Sequence, residues 1–199
     1  MTIVCAVREP AGGVWIGSDS RVTGSHGFIA PVTLKKWRQV GSLWVGICGH
    51  ARLLQLVDQL ASPPRRPEEW TPVPPTSATD LADLLRSRVR EEGWKDESTK
   101  DGPSDMGGTA IIVDKESVYE LTPGGCLIDY GDEFCAAGSG CEYALGAWHA
   151  TRDSAPRPLS MTKAIDAALR YDSSCGGQRW IVKVNDGDLF AHDAPAADG

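Results

Sequence analysis

The sequence predicts an α+β fold, a four-layer αββα sandwich in which two antiparallel sheets face each other and a helix pair covers each outer surface. Short apolar, β-branched segments outnumber the helical ones. The helical segments come in consecutive pairs, whereas a doubly wound fold would place one helix after each strand. Glycine and proline turn signals separate neighbouring strands, as they do in hairpins.

The first half of the chain contains two predicted hairpins and then a helix pair. The hairpin strands are short and apolar, and they cover residues 2–7, 14–18, 35–40 and 43–49. A Gly-Ser dipeptide between the last two strands suits a two-residue turn. Apolar residues at helical spacing predict helices over 50–61 and 77–94, the second capped by Ser77 or Thr79.

The second half repeats this order, strands first and helices after. A period of two residues, interrupted by turn signals, predicts a meander of short strands over 109–130. Helices are predicted over 140–153 and 160–174, with Ser160 or Thr162 capping the latter. Two final strands are predicted at 179–184 and 187–192.

The length of 199 residues suits one domain. We predict this domain over residues 1–192, with polar or proline-rich loops at 62–77 and 96–108 inserted into it. The small and acidic residues of 193–199 predict a disordered tail.

Composition excludes several classes of function. The net charge of −7 argues against a nucleic-acid partner, and the apolar runs are too short for a membrane span. The chain opens without a basic region before an apolar run, so we expect no secretory signal and a cytoplasmic protein. Six scattered cysteines without a CxxC pair indicate reduced thiols. The four histidines are scattered too, so we expect neither a metal site nor a cofactor.

Thr2 is the first candidate for chemistry. Removal of Met1 would leave an α-amine and a hydroxyl on the same residue. With an ordinary pKa of about 7.7–8.0, that amine is a base near neutral pH, and a threonine so arranged is a nucleophile. Many cytosolic proteins begin Met-Thr for no catalytic reason, so the position alone leaves both readings open.

Further residues fit a site around Thr2, and each has a structural alternative. Asp19, after the second strand, is either a turn former or an acid. Lys35 and Lys36, before an apolar strand, are either exposed charges or include a buried cation, and a buried cation lowers the pKa of a neighbouring amine. Gly46, inside an apolar strand, indicates close approach of a ligand or backbone, and its N–H suits an oxyanion. His50, at the start of a helix, is interpreted as a cap or interface residue.

Four stretches together resemble the β-type subunits of proteasomes and the related bacterial HslV peptidase. They are TIVCAV…GGVWIGSDSRVT, KKWRQV…WVGICGHARLL, GGTAIIVD, and AGSGCEYALGA…AALRYDSSCGG. Their order and spacing match the family over nearly the whole chain, apart from the two predicted loops. The resemblance implies an N-terminal nucleophile hydrolase fold, in agreement with the order of elements.

The resemblance also implies roles for individual residues. Thr2 matches the nucleophile, and Asp19 matches the acid that pairs with the catalytic lysine, Lys36. The other matches are the oxyanion glycine, the serine near the amine and the acid that orients the amine, which are Gly46, Ser139 and Asp172. Cys175 departs from the family pattern, which has a serine there. A thiol is a weaker hydrogen-bonding group, so we expect a weaker or rebuilt network around the amine.

The implied activity is that of a threonine endopeptidase. It would cut unfolded polypeptides through an ester on Thr2, with the substrate as an extended strand between Thr23 and Cys48. Trp44 is either a pocket residue or a core residue. The implied assembly is a homo-oligomeric ring of six or seven subunits, single or stacked as a double ring, with an ATPase unfoldase as a candidate partner. The alternatives are an inactive ring-forming scaffold and a small-amide hydrolase.

Overall fold

The computed structural model describes residues 2–23, 29–61, 74–91 and 106–184. Within them the strands are β1 Val4–Arg8, β2 Val14–Ser18, β3 Arg21–Thr23, β4 Ile29–Thr33, β5 Trp37–Val40, β6 Leu43–Gly49, β7 Gly108–Val113, β8 Val118–Leu121, β9 Leu127–Gly131, β10 Cys135–Ala137 and β11 Trp180–Val184. The helices are α1 Ala51–Ala61, α2 Ala78–Glu91, α3 Cys141–Thr151 and α4 Arg157–Tyr171. The predicted strand at 187–192, the predicted tail at 193–199 and most of the two predicted loops lie outside the described residues.

The strands form two larger sheets and one small ribbon. Sheet A has the order β10-β1-β2-β11, and sheet C has the order β5-β6-β7-β8-β9. Every neighbouring pair is antiparallel, as the order of strands and helix pairs in the sequence predicts. The ribbon, which is sheet B, pairs β3 with β4. The sequence analysis did not predict β3, β4 or β10, since β3 and β10 have three residues each and β10 has no β-branched side chain.

Three hydrophobic clusters show how these elements pack. One joins α1 and α2 to one face of sheet C, and another joins α3 and α4 to one face of sheet A. The third contains side chains of both sheets, including Val4, Ile16, Trp44 and Ile111. Side chains alternate along β6, so Leu43, Val45 and Ile47 face the helices while Trp44 and Cys48 face sheet A.

The helix starts follow different rules. At α2, Asp80 N–H donates to Ser77 Oγ and Ser77 N–H donates to Asp80 Oδ2, both across 3.1 Å, a reciprocal capping box. The prediction that Ser160 or Thr162 caps α4 is wrong. That helix begins at Arg157 after Pro156 without a side-chain cap, and the Ser160 hydroxyl donates to the Thr151 carbonyl instead. No helix in the described part of the chain is long and apolar enough to cross a bilayer.

We expect Gly46→Ala to destabilise the protein by about 1–3 kcal/mol, because the new Cβ overpacks the space between the sheets. It would lie 2.4 Å from Val4 Cγ1 and 3.2 Å from Ile16 Cδ1. The matched control is Gly146→Ala on α3, where nothing lies within 4 Å. Because Gly146→Ala removes a glycine from the interior of a helix, it should stabilise the protein by about 0.5–1 kcal/mol. Urea unfolding followed by circular dichroism measures both, and equal stability of the two variants would contradict the packing described.

Candidate active site

Thr2, Asp19 and Lys36 converge beside the start of β1. Thr2 Oγ1 donates to Asp19 Oδ1 across 2.5 Å, and Lys36 Nζ donates both to Thr2 Oγ1 and, across 2.6 Å, to the same carboxylate oxygen. The exposed fractions are 4% for Thr2, 0% for Asp19 and 6% for Lys36. One hydroxyl is therefore held between a buried cation and a buried carboxylate.

Two sheets supply these groups. Asp19 directly follows β2 of sheet A, and Lys36 directly precedes β5 of sheet C. The carboxylate of Asp19 also accepts the backbone N–H groups of Ile3 at 3.1 Å, Arg21 at 3.3 Å and Gly176 at 3.1 Å. A buried charge needs such partners, because an unpaired one is strongly destabilising. These bonds also fix the direction in which the carboxylate faces Thr2.

A glycine-rich turn holds the backbone of Thr2. Gly138 has a φ of +106°, and a Cβ there would lie 2.1 Å from the Thr2 carbonyl oxygen. Ser139 Oγ and Gly140 N–H each lie 3.4 Å from that oxygen as donors. Only glycine allows this close approach at position 138, so the turn fixes where Thr2 sits.

Asp172, Cys175 and Ser139 form a second polar group behind this turn. Cys175 Sγ donates to Asp172 Oδ2 at 3.2 Å and lies 4.0 Å from Ser139 Oγ. Burial raises the pKa of the Cys175 thiol to about 12, and the contact with Asp172 adds to the shift. The thiol stays protonated at neutral pH and serves as a donor to the Asp172 carboxylate.

The pKa of Asp172 is lowered from its ordinary value. Partial burial alone would raise this pKa, but hydrogen bonds to its carboxylate from the Ser139 hydroxyl, the Ser174 backbone N–H and the Cys175 thiol outweigh that effect. Asp172 is therefore ionised at neutral pH and acts as an acceptor for its neighbours.

Two hollows flank Thr2 and share Thr2, Gly49 and His50 as lining residues. The first is largely apolar, and its other lining residues are Arg21, Val22, Thr23, Leu34, Lys36, Ile47, Ala51 and Leu54. The second is lined by small residues, the others being Cys48, Gly107, Gly108, Thr109, Gly138 and Ser139. Because they share these three residues, the two hollows adjoin at Thr2, and we refer to them together as the cleft.

Of the nine predicted site residues, five line this cleft. Asp19 and Asp172 line neither hollow but hydrogen-bond to residues that do, whereas Gly46 and Trp44 lie apart from the cleft. Thr23 lines the first hollow, and Cys48 and Ser139 line the second. A Cβ on Gly46 would meet Val4 and Ile16, so this residue faces sheet A. Trp44 lies on the same face, with its ring centroid 5.2 Å from that of Trp37. The structural alternative, a core tryptophan, is the one that the packing supports.

The backbone N–H groups along β6 alternate between its two neighbouring strands, so those of Gly46 and Gly49 face opposite sides of β6. Ile47 N–H donates to the Lys36 carbonyl at 2.7 Å, so odd-numbered residues of β6 direct their N–H groups toward β5. Gly46 lies between them and directs its N–H toward β7. Gly49 directs its N–H toward the Lys36 side, beyond the start of β5, and borders both hollows. The prediction that Gly46 donates to an oxyanion does not fit this geometry.

Sequence reasoning missed Gly49 and the second role of His50. The signal for Gly49 was its place at the end of an apolar strand, where the pairing with β5 has already stopped. His50 caps α1 as expected, since its Nδ1 accepts the Arg52 N–H at 3.3 Å. It also lines both hollows, which a one-dimensional pattern does not reveal.

No protein-family model matches this sequence, and no curated protein matches it either. Solved structures do. Thiobacillus denitrificans BPH is 22% identical, with a TM-score of 0.71, over 94% of this chain and 100% of the other. Anbu, the ancestral beta-subunit from Yersinia bercovieri, is 21% identical, with a TM-score of 0.67, over 92% of this chain and 81% of the Anbu chain. Eukaryotic HslV from Trypanosoma brucei is 18% identical, with a TM-score of 0.63, over 92% of this chain and 98% of the HslV chain.

These likenesses establish the fold. The chain adopts the mixed α and β fold of proteasome-type N-terminal nucleophile hydrolases, which confirms the fold family that the four sequence stretches indicated. A BPH structure in complex with epoxomicin has the same TM-score of 0.71, at 20% identity over 93% of this chain.

We expect the contribution of Asp172 to stability to vanish in acid. Its pKa is lower in the folded chain, so its stabilising effect is present above the unfolded-state pKa of about 3.9 and is lost as the pH falls through the folded pKa. The difference in denaturation midpoint between wild type and Asp172→Asn should therefore stay constant from pH 6 to about pH 5 and shrink as the pH falls below about 4. Asp153→Asn, at a highly exposed carboxylate, is the matched control. A difference that stays constant as the pH falls below about 4 would contradict the shift.

Proposed function

We propose that this chain is the subunit of a proteasome-like threonine peptidase, with Thr2 as its nucleophile once Met1 is removed. The observation that carries the proposal is the buried contact of one hydroxyl, that of Thr2, with both Lys36 Nζ and Asp19 Oδ1. A structural threonine needs no buried ion pair around its hydroxyl. A nucleophile gains from one, because the cation favours the oxygen as it loses its proton.

The acid–base step follows from the α-amine that Met1 removal would leave on Thr2. This amine takes the hydroxyl proton, directly or through a water molecule, as Oγ1 attacks the carbonyl carbon of the substrate. The amine then returns the proton to the leaving nitrogen, and an ester remains on Thr2. Water activated by the same amine hydrolyses that ester and regenerates the hydroxyl. Asp172, Ser139 and Cys175 are proposed to orient the amine.

The oxyanion of the tetrahedral intermediate is proposed to accept the N–H of Gly49. This group points to the Lys36 side of β6, and Gly49 shares both hollows with Thr2. A fixed backbone donor at the place where negative charge develops is the usual source of such stabilisation. Gly46, with its N–H directed into the sheet, has no part in this step.

The substrate is proposed to lie as an extended strand along the cleft, between Thr23 on one side and the Cys48–Gly49 backbone on the other. Its side chain before the cut bond would enter the first hollow. Val22, Leu34, Ile47 and Leu54 make this hollow apolar. An apolar residue at that substrate position therefore fits better than a charged one.

The assembly is proposed to be a homo-oligomeric ring of four-layer αββα subunits, with six or seven copies in a single or double ring. The cluster between the two sheets and the two clusters beneath the helix pairs support the layered arrangement. A cytoplasmic site of action, unfolded polypeptides as substrates and an ATPase unfoldase as partner remain predictions from the sequence. Native mass spectrometry of the purified protein measures the number of copies directly.

We expect Thr2→Ala to abolish hydrolysis of fluorogenic peptides, a loss on the order of 10³-fold or more in kcat, because the attacking oxygen is gone. Thr2→Ser keeps a hydroxyl and should retain measurable activity. Thr162→Ala, which removes a hydroxyl that donates to the Pro158 carbonyl on α4, is the matched control and should behave as wild type. Intact mass must show that Met1 is absent from the active protein.

Other outcomes of this experiment point elsewhere. Hydrolysis that persists in Thr2→Ala would overturn the assignment of the nucleophile. A stable ring without Met1 that cleaves no peptide would favour the inactive scaffold. Cleavage of small amides alone would favour the amidase. Epoxomicin, bound in the BPH structure, is a further probe, and we expect it to inhibit wild type.

We expect peptides with leucine before the reporter group to be cleaved faster than those with lysine or aspartate. One apolar group in a fitting pocket is worth about 1–3 kcal/mol, so the ratio of kcat/KM should be roughly tenfold or more. Ala51→Asp, at an exposed position of the first hollow, should reduce the ratio of kcat/KM for the leucine peptide to that for the lysine peptide. Trp44→Phe should leave the ranking unchanged, and a change there would restore Trp44 as the pocket residue.

A further inference from the structure

Cys48 connects the two halves of the candidate site. It lies on β6, one residue before Gly49, and its Sγ–H donates to the Ala137 carbonyl at 3.1 Å. Ala137 is the last residue of β10 and directly precedes Gly138, whose turn holds the Thr2 carbonyl. A single hydrogen bond thus links the strand that carries the oxyanion donor in sheet C to the turn that positions the nucleophile in sheet A.

The thiol suits this role. Cys48 is 4% exposed, so its bond faces little competition from water. Burial raises the pKa of the thiol well above its ordinary value, although the nearby Lys36 opposes the shift. Cys48 is therefore protonated at neutral pH and has a proton to donate to the Ala137 carbonyl.

We propose that Cys48 is a positioning residue for the reaction, which sets the distance between the Gly49 N–H and the Thr2 hydroxyl through its bond to Ala137. This inference rests on the proposed function. The tetrahedral carbon must lie within bonding reach of Thr2 Oγ1 while its oxygen reaches the donor on the other sheet. A displacement of about 1 Å between such groups can cost on the order of 10²-fold in rate.

The test compares three Cys48 variants with matched changes at Cys135. Cys135 is a buried thiol of the same inter-sheet cluster, two residues before Ala137 on β10. Cys48→Ser keeps a donor of similar size, Cys48→Ala removes the donor, and Cys48→Val removes it while filling the space. Cys135→Ser and Cys135→Ala measure how the loss of a buried thiol affects activity at a position whose side chain does not bond to the turn.

We expect Cys48→Ala to lower kcat on the order of tenfold while KM changes by less than about threefold, because binding is kept and alignment is lost. Cys48→Ser should restore at least half of this loss on a logarithmic scale. The Cys135 variants should keep the wild-type kcat. Thermal unfolding identifies any variant that does not fold, and Cys48→Val then replaces Cys48→Ala in the comparison.

The inference is overturned if the folded donor-free variant has the wild-type kcat, or if Cys48→Ser is as slow as Cys48→Ala. Failure of the proposed function is a separate result, since it appears as hydrolysis that survives Thr2→Ala. If Thr2 is essential and the Cys48 variants are fully active, the peptidase assignment stands and only the positioning role falls.

Discussion

The buried ion pair of Asp19 and Lys36 is the constraint on which the rest of the site depends. Bringing both charges out of water costs several kcal/mol per ion, so the pair persists only where every remaining hydrogen-bonding position is occupied. Backbone N–H groups from three separate segments meet that need at Asp19. The Thr2 hydroxyl completes the arrangement, so the contacts that stabilise the two buried charges also fix the position of the proposed nucleophile.

The pattern of apolar residues was sufficient for most of the fold. The hairpin strands are short continuous apolar runs, the strands over 109–130 have a period of two residues, and the helices have a period of 3.6. The apolar faces of these elements form the three hydrophobic clusters. The short strands escaped prediction for a physical reason. β10 is held by backbone pairing with β1, and a three-residue Cys-Ala-Ala segment shows no period of its own. The start of α4 escaped because proline, without a capping side chain, can open a helix.

The site divides in the same way. The grouping of Thr2, Asp19 and Lys36 was predicted from the family resemblance, because residue type alone left a structural alternative open for each of them. Gly46 and Gly49 are both glycines of β6, but their N–H groups face opposite sides of the strand. Which side each N–H faces depends on the pairing of β6 with β5, and the sequence alone does not reveal that pairing. Trp44 was ambiguous because a large aromatic fills a core as readily as a pocket. Its even position beside Gly46 and Cys48 assigns it to the space between the sheets.

The contacts around Thr2 also join segments that are far apart along the chain. Asp19 accepts from Gly176, 157 residues later, and Thr2 accepts from Ser139, 137 residues later. A growing polypeptide thus exposes the threonine long before its companions emerge from synthesis. The arrangement around the hydroxyl is therefore complete only after the segment that contains Gly176 has folded against Asp19. On the proposed function, the site would form late, after most of the chain has been synthesised.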